Sequence, residues 1–340
     1  MKTQISNTAV FIDTCVFESM HFNFESELCK ALESACTSAG VRLLLPDAIH
    51  REIIRHINKR IDESVQGLLT LRRKHSVLRL WDQFPMDVQI HRAKQELKNK
   101  ILTNWHQFRK RLDCLEMDYK DINFQQLMDW YDDTSPPFGA GAKRKEFPDA
   151  FAIASLLAYA KSKHEYVSVI SSDKDIESAC GNHGNLIYFD SMAKYIEVML
   201  VGVEHNNALQ LTILKQIKDI EQAILDESHS LEVFHSDDNV YAELLEVVAC
   251  KILNQNIIAI GPSQCVVYFN AEIEAGIELD LNNGFWWDEF EGVDNIFNLP
   301  VAIEGRAVLF IDQVNELFNK DPEIQLDYGN FEAKVNLDQL

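Results

Sequence analysis

No apolar run in this chain approaches the roughly 18 residues needed to cross a bilayer, and the opening M-K-T-Q-I-S-N-T-A-V-F-I-D lacks the long apolar region of a signal peptide. A soluble, cytoplasmic protein with no membrane partner is expected. The seven cysteines, at 15, 29, 36, 114, 180, 250 and 265, form no C-x-x-C pair and no zinc-finger spacing. Reduced thiols serving as small core residues are expected. There is no G-x-x-x-x-G-K-[ST], so the chain brings no phosphate-binding P-loop of its own, and G-A-G-A at 139–142 follows no strand and reads as a loop. The segment H-R-E-I-I-R-H, His50 to His56, has neither H-E-x-x-H nor its inverse, which removes the usual zinc hydrolases. His50 and His56 are read as neighbours of Glu52 or as surface residues. Internal repeats and low-complexity segments are also missing.

Basic charge is nearly absent from one part of the chain. Residues 203–340 hold 6 Lys+Arg against 26 Asp+Glu, while residues 1–202 hold 26 against 27, so almost all of the formal charge of −21 is C-terminal. Within 51–111 the balance reverses, to 15 basic and 6 acidic residues. A total of −21 argues against a nucleic-acid partner, because phosphate contacts supply most non-specific affinity, but this distribution restores one for the N-terminal part. With 46% hydrophobic residues over 340 positions, two domains with cores of their own are expected.

Taken in order, Thr8 to Ile12 reads as a short buried strand ending at Asp13. Leu28, Leu32, Ala35 and Ala39 then recur at helical spacing, with Gly40 as the C-cap. Val41 to Leu45 is a second strand, which makes a β-α-β unit and hence a parallel sheet. Asp47 is placed to cap a helix that buries Ile49, Ile53, Ile54 and Ile57, with Glu52 near its first turns. Residues 60–131 read as helical throughout, broken at Phe84-Pro85, and carry three basic clusters: Arg72-Arg73-Lys74, Arg92-Lys94-Lys98-Lys100 and Arg109-Lys110-Arg111. Each alone is an ordinary solvated helix surface; together, with Trp105, His106 and Phe108 among them, they suit a groove that tracks phosphates and stacks bases.

A turn-rich loop, Asp132 to Ala142, leads into Lys143-Arg144-Lys145, a fourth part of the nucleic-acid-binding surface. Pro148 then opens a helix, with Glu146 and Asp149 at its N-terminus. Tyr166 to Ile170 is a buried strand that delivers Asp173; Lys174 to Cys180 is a short helix, Leu186 to Phe189 a strand, and Ser191 caps a closing helix to Val203. The fold class is α/β, a three-layer domain over 1–203 with a central parallel sheet and a helical insert at about 60–131, joined by a helix within 204–230 to a smaller acidic α+β domain over 231–340. In that second domain strands are expected at Leu231–Phe234, Ile257–Ile260, Cys265–Phe269, Glu272–Leu281 and Val301–Ile311, with a helix over Val240–Leu253. Trp286 and Trp287 lie amid Asp288, Glu289 and Glu291, a composition suited to docking a protein partner or to self-association through 231–340.

Four acids stand out: Asp13 and Asp173 at strand ends, Glu52 and Asp149 in the early turns of helices over the same sheet edge, with Glu146 and Asp175 beside the last two. In open α/β sheets ligands bind beyond the carboxyl ends of the strands. Clustered carboxylates repel one another unless a cation neutralises them, and all-oxygen ligation suits a hard divalent ion, Mg²⁺ or Mn²⁺.

With F-I-D-T at Asp13, P-D-A-I-H-R-E at Glu52, P-D-A-F-A-I-A at Asp149 and I-S-S-D-K-D at Asp173, the chain resembles the PIN-domain ribonucleases over roughly residues 8–200. The K-R-K-E-F-P-D-A form is similar to a prokaryotic subgroup with a longer helical insert. A haloacid-dehalogenase-like phosphatase would need a second Asp two residues after the first, where this chain has Cys15. The resemblance implies a metal-dependent endonuclease acting on single-stranded RNA ahead of DNA. It makes Asp13, Asp149 and Asp173 metal ligands, Glu52 a ligand or water-orienting group, Glu146 and Asp175 auxiliary acids, and Ser171 and Ser172 hydroxyl residues preceding the last acid. The rival reading is an inactive PIN-like module that binds proteins through its acidic C-terminal domain. Toxin, RNA-processing and phage-defence settings are all compatible with the resemblance.

Overall fold

The computed structural model describes residues 7–75, 87–138, 147–200, 213–214, 217–229, 231, 233–235, 241–260, 264–280, 296–312, 317–318 and 322–331. The chain divides into two units, Met1–Tyr195 and Ile196–Leu340.

In the first unit the apolar run after Thr8 forms β1 (Asn7–Ile12), and α1 (Thr14–Ser19) starts directly behind Asp13. Ser26 accepts a hydrogen bond from the Cys29 amide to cap α2 (Glu27–Ala39), which Gly40 closes at φ 68°, a left-handed conformation that glycine adopts without strain. β2 (Arg42–Pro46) and the 28-residue helix α3 (Asp47–Lys74) follow, then α4 (Asp87–Arg111), β3 (Leu115–Met117), α5 (Phe124–Asp132), α6 (Phe147–Lys163), β4 (Tyr166–Ile170), α7 (Lys174–Gly181), β5 (Leu186–Phe189) and α8 (Met192–Leu200), whose residues from Ile196 onward belong to the second unit. The sheet is parallel, in the order β3-β2-β1-β4-β5. Every carboxyl end therefore falls on one edge. Residues Ala9 to Ile12 and Leu43 to Leu45 are buried almost completely, as expected of strands covered on both faces.

Three expectations for this unit need correction. The insert is not helical throughout: Leu115–Met117 adds a fifth strand, pairing parallel with Leu44–Pro46. Asp47 is the first helical residue rather than the cap, which falls to Pro46, and its carboxylate instead receives the Arg51 guanidinium at 2.8 Å. Trp105 and Phe108 are no stacking platform. They are buried in an aromatic cluster with Phe17 and Phe24, ring centroids 5.0 to 6.0 Å apart, and burial of each such ring contributes about 1.5–3 kcal/mol. The expected helix break at Phe84-Pro85 lies outside the described residues.

The second unit contains α9 (Ile217–Ser228), β6 (Val233–His235), β7 (Tyr241–Ile260), β8 (Gln264–Asp280), β9 (Ile296–Asp312), β10 (Leu317–Phe318) and β11 (Glu323–Phe331). Its main sheet runs β6-β11-β9-β8-β7 and is antiparallel except for the β6–β11 pair. Alternate residues of β8, Cys265 to Ile277, and of β9, Val301 to Leu309, form one apolar face packed with Ile220 and Ile224 of α9. The helix expected over Val240–Leu253 is part of the 20-residue strand β7, and the two strands expected at 265–269 and 272–281 are one, β8. Bulges produced the helical signal. β7 slips against β8 at four places, so that Leu244, Val247 and Cys250 all pack inward at a spacing of three, close to the helical period. Trp286 and Trp287 lie outside the described residues. No helix among those described is long and apolar enough to cross a membrane.

Candidate active site

At the carboxyl edge of the parallel sheet the central strands hand over directly to acids. The Asp13 amide donates to the Ile170 carbonyl at 2.9 Å, which ties the end of β1 to the end of β4. Asp13 is only 6% exposed. Its carboxylate accepts from the Thr14 amide at 2.7 Å, the Ser171 hydroxyl at 2.6 Å and the Cys15 thiol at 3.0 Å, all neutral donors. Ser171 is held in turn: its amide donates to Phe189, its carbonyl accepts from the Tyr188 hydroxyl at 2.7 Å, and its own oxygen accepts from the Asp173 amide at 3.0 Å. Burial, with Glu177 and Asp190 nearby, pushes the Tyr188 phenol up to about 12, so it stays a donor at neutral pH.

Asp173 caps α7 by accepting from the Asp175 amide at 2.6 Å, and Asp175 occupies the first turn. On the opposite side Thr14 donates its hydroxyl to Glu52 at 3.3 Å, so Thr14 touches both Asp13 and a residue of α3. Glu52 also receives Arg55 at 3.0 Å and faces His56 Nε2 at 3.6 Å, while His56 Nδ1 meets Glu18 at 2.5 Å. Thr14 thus links Asp13, through its amide, to Glu52, through its hydroxyl, and the Ser171 hydroxyl links the Asp13 carboxylate to the Asp173 amide. Asp149 sits half-buried in the first turn of α6. Glu146 and the basic triplet Lys143, Arg144 and Lys145 lie outside the described residues.

Among the described residues no three His, Cys, Asp or Glu side chains gather closely enough to form a ready-made ion site. The donor chemistry nevertheless fits a hard cation: the groups are carboxylates, and the most buried of them, Asp13, has only neutral partners. Cys15 is a poor nucleophile here, because burial and the adjacent Asp13 push its thiol up to about 11. Sequence reasoning did not single out Thr14 and Glu18. Glu18 had no strand end or cap to mark it, whereas Thr14 could have been noticed as a hydroxyl directly following the first acid.

The proposed nucleic-acid-binding cations divide by environment. Arg109 is mostly covered, paired with Glu116 at 2.6 Å and lying over the Trp105 ring; Arg111 binds Glu25 and Glu33 at 2.9 and 2.7 Å. Both fasten α4 to its surroundings. Lys110, Arg73 and Lys74 are exposed, and Arg72 is half-buried at the end of α3. A groove of about 1130 Å³ runs beside β3, between Asp47, His50, Asp118 and Asp121 on one side and Tyr159 and Lys163 on the other, and contains none of the four acids.

Comparison with known proteins agrees with the fold of the first unit. Residues 10–176 match the family model described as PIN domain, a stretch that begins in β1 and ends in α7, and so takes in Asp13, Glu52, Asp149 and Asp173. Neither the curated proteins nor the solved structures contain a match. PIN domains are generally nucleases and typically use divalent metal ions. Residues 10–176 are therefore a member of the PIN-domain family.

Proposed function

We propose that the protein is a metal-dependent endonuclease that cleaves phosphodiester bonds in single-stranded RNA. The observation that carries this reading is Asp13, a buried carboxylate with three neutral donors and no cation beside it among the described residues. A buried charge without a counter-charge is costly, and a divalent ion is the partner such a site lacks. Asp13, Asp149 and Asp173 would hold Mg²⁺ or Mn²⁺, with Glu52 as a further ligand or as the group orienting water, and Glu146 and Asp175 as outer acids. Bound there, the ion supplies a water of lowered pKa and neutralises the charge growing on the phosphate oxygens.

The remaining work falls to the chain itself. Ser171 and Thr14 fix carboxylate orientation, so little reorganisation is needed when substrate arrives. Lys110, Arg73, Lys74 and the triplet Lys143, Arg144 and Lys145 would contact the backbone of the strand being cut. The test is incubation of the full chain with end-labelled single-stranded RNA and DNA in Mg²⁺ or Mn²⁺, beside the Asp149→Asn variant, with Mn²⁺ binding followed by calorimetry. Cleavage of RNA, lost in the variant together with Mn²⁺ affinity and with an unchanged melting temperature, is expected. A wild-type chain that cuts neither substrate and binds no Mn²⁺ would instead be an inactive module.

A further inference from the structure

The second unit ends its sheet on β7, a 20-residue edge strand. Long edges invite uncontrolled pairing, and proteins blunt them with bulges, charges or covering groups. One half of this edge is covered: Glu221 accepts from the Ile252 amide at 2.9 Å, and Glu197 accepts from the Asn256 side chain at 2.7 Å and the Ile257 amide at 3.5 Å. Elsewhere the strand is shaped by bulges. Its ladder with β8 skips Leu245, Val248, Leu253 and Ile258. Ile258 turns into the protein, but Leu245, Val248 and Leu253 stand 45%, 57% and 58% exposed. A bulge whose only task was to disrupt pairing would be served by a polar residue. Three of these four present large aliphatic side chains to solvent.

The pattern is close to self-complementary. Leu245 and Leu253 lie four residues either side of Ala249, Val248 lies beside it, and the exposed pair Glu246 and Lys251 flanks it on opposite sides, with no ion pair among the described residues. The strand is also spared the acidity of its surroundings. Tyr241–Ile260 carries two Glu against one Lys, in a region where residues 203–340 carry 26 acidic and 6 basic residues. We infer that β7 is a self-association surface, on which two copies of this chain pack antiparallel about a two-fold axis near Ala249. Leu245 of one copy then meets Leu253 of the other, Val248 lies at the axis, and Glu246 reaches Lys251 across it. Contact is through side chains, since bulges spoil a continuous backbone ladder, and the interface is isologous as a two-fold demands. The acidic faces elsewhere repel, which selects this register over others.

Sedimentation velocity of the full chain over a concentration series tests the assignment. A dimer is expected, and Val248→Asp with Leu253→Glu should raise its dissociation constant about tenfold or more, as loss of central apolar contacts does. Because both positions are exposed, the variant should keep its far-UV circular dichroism. Glu246→Lys should weaken the dimer, and adding Lys251→Glu should restore it. Val248→Cys should form an intermolecular disulfide under mild oxidation. A wild-type chain that stays monomeric throughout, a dimer indifferent to the double variant, or a dimer in which Val248→Cys never cross-links would each overturn the assignment.

Discussion

The two units of this protein use carboxylates in opposite ways, and strand direction is the cause. In the parallel sheet all strands end on one edge, so Asp13 and Asp173, 160 positions apart in sequence, are both within reach of one serine hydroxyl. In the antiparallel sheet strand ends alternate, and Glu272, Glu274, Glu278 and Glu304 are spread along its exposed face. Acids brought to one edge are what the proposed cation site requires. Dispersed acids make a surface charge, which serves solubility and keeps like surfaces apart.

This contrast can be broken by substitution. The largest expected effect is on chemistry: Asp13→Asn should lower RNA cleavage more than the roughly 10–100-fold typical of losing a positioning partner, while leaving sedimentation of the chain unchanged. Ser171→Ala keeps every carboxylate and removes only the hydroxyl between the Asp13 carboxylate and the Asp173 amide, so a loss within that roughly 10–100-fold range is expected in a single-turnover cleavage assay. Activity equal to wild type would mean that the acids do not depend on the hydroxyl.

Stability effects come next. Trp105→Ala should destabilise the first unit by about 3–5 kcal/mol in denaturant titration, the usual cost of emptying a buried aromatic site. In the second unit the corresponding weak point is a close approach. A Cβ at Gly305 would stand 2.6 Å from the Gln325 carbonyl oxygen and 2.9 Å from the Phe269 ring, so Gly305→Ala should cost about 1–3 kcal/mol and leave cleavage intact. The smallest difference between units is expected at alkaline pH. Burial raises Cys29 and Cys36 in one unit and Cys250 and Cys265 in the other to about 12, from an ordinary 9.0. A raised folded-state value means stability fully present below pH 9 and lost as pH climbs toward 12, so thermal melting should decline in both units over that window.

How legible each unit was follows from the same contrast. The strand ending at Asp13, the strand Tyr166–Ile170 and the helices around them were readable because buried parallel strands are short unbroken apolar runs and their helices keep a steady period. The three residues of β3, L-E-M, have no β-branched member and make a strand only by lying against Leu44–Pro46, a partner that local sequence does not reveal. Trp105 and Phe108 were hidden by their charged neighbours: α4 is polar around most of its circumference, and its buried positions are few. In β7 the bulges changed the period itself, so local reading gave the wrong element. Of the acids, the positions on strand ends and helix starts were legible, as was the hydroxyl of Ser171, whereas the hydrogen bonds that Ser171 and Thr14 make became visible only through tertiary contact.

The order of the central sheet also has a consequence during synthesis. β1 is made first, yet its neighbours in the finished sheet are β2, which follows soon after, and β4, which is reached only at Tyr166. Until Ser171 has left the ribosome, Asp13 lacks one of its three donors, and Asp173 follows two residues behind. The long α3–α4 pair must wait with one side of β1 unclaimed, a high-contact-order step that is slow in itself. Growing chains therefore carry the acidic edge only in halves, and whatever that edge does begins only after residue 173 has emerged from the ribosome.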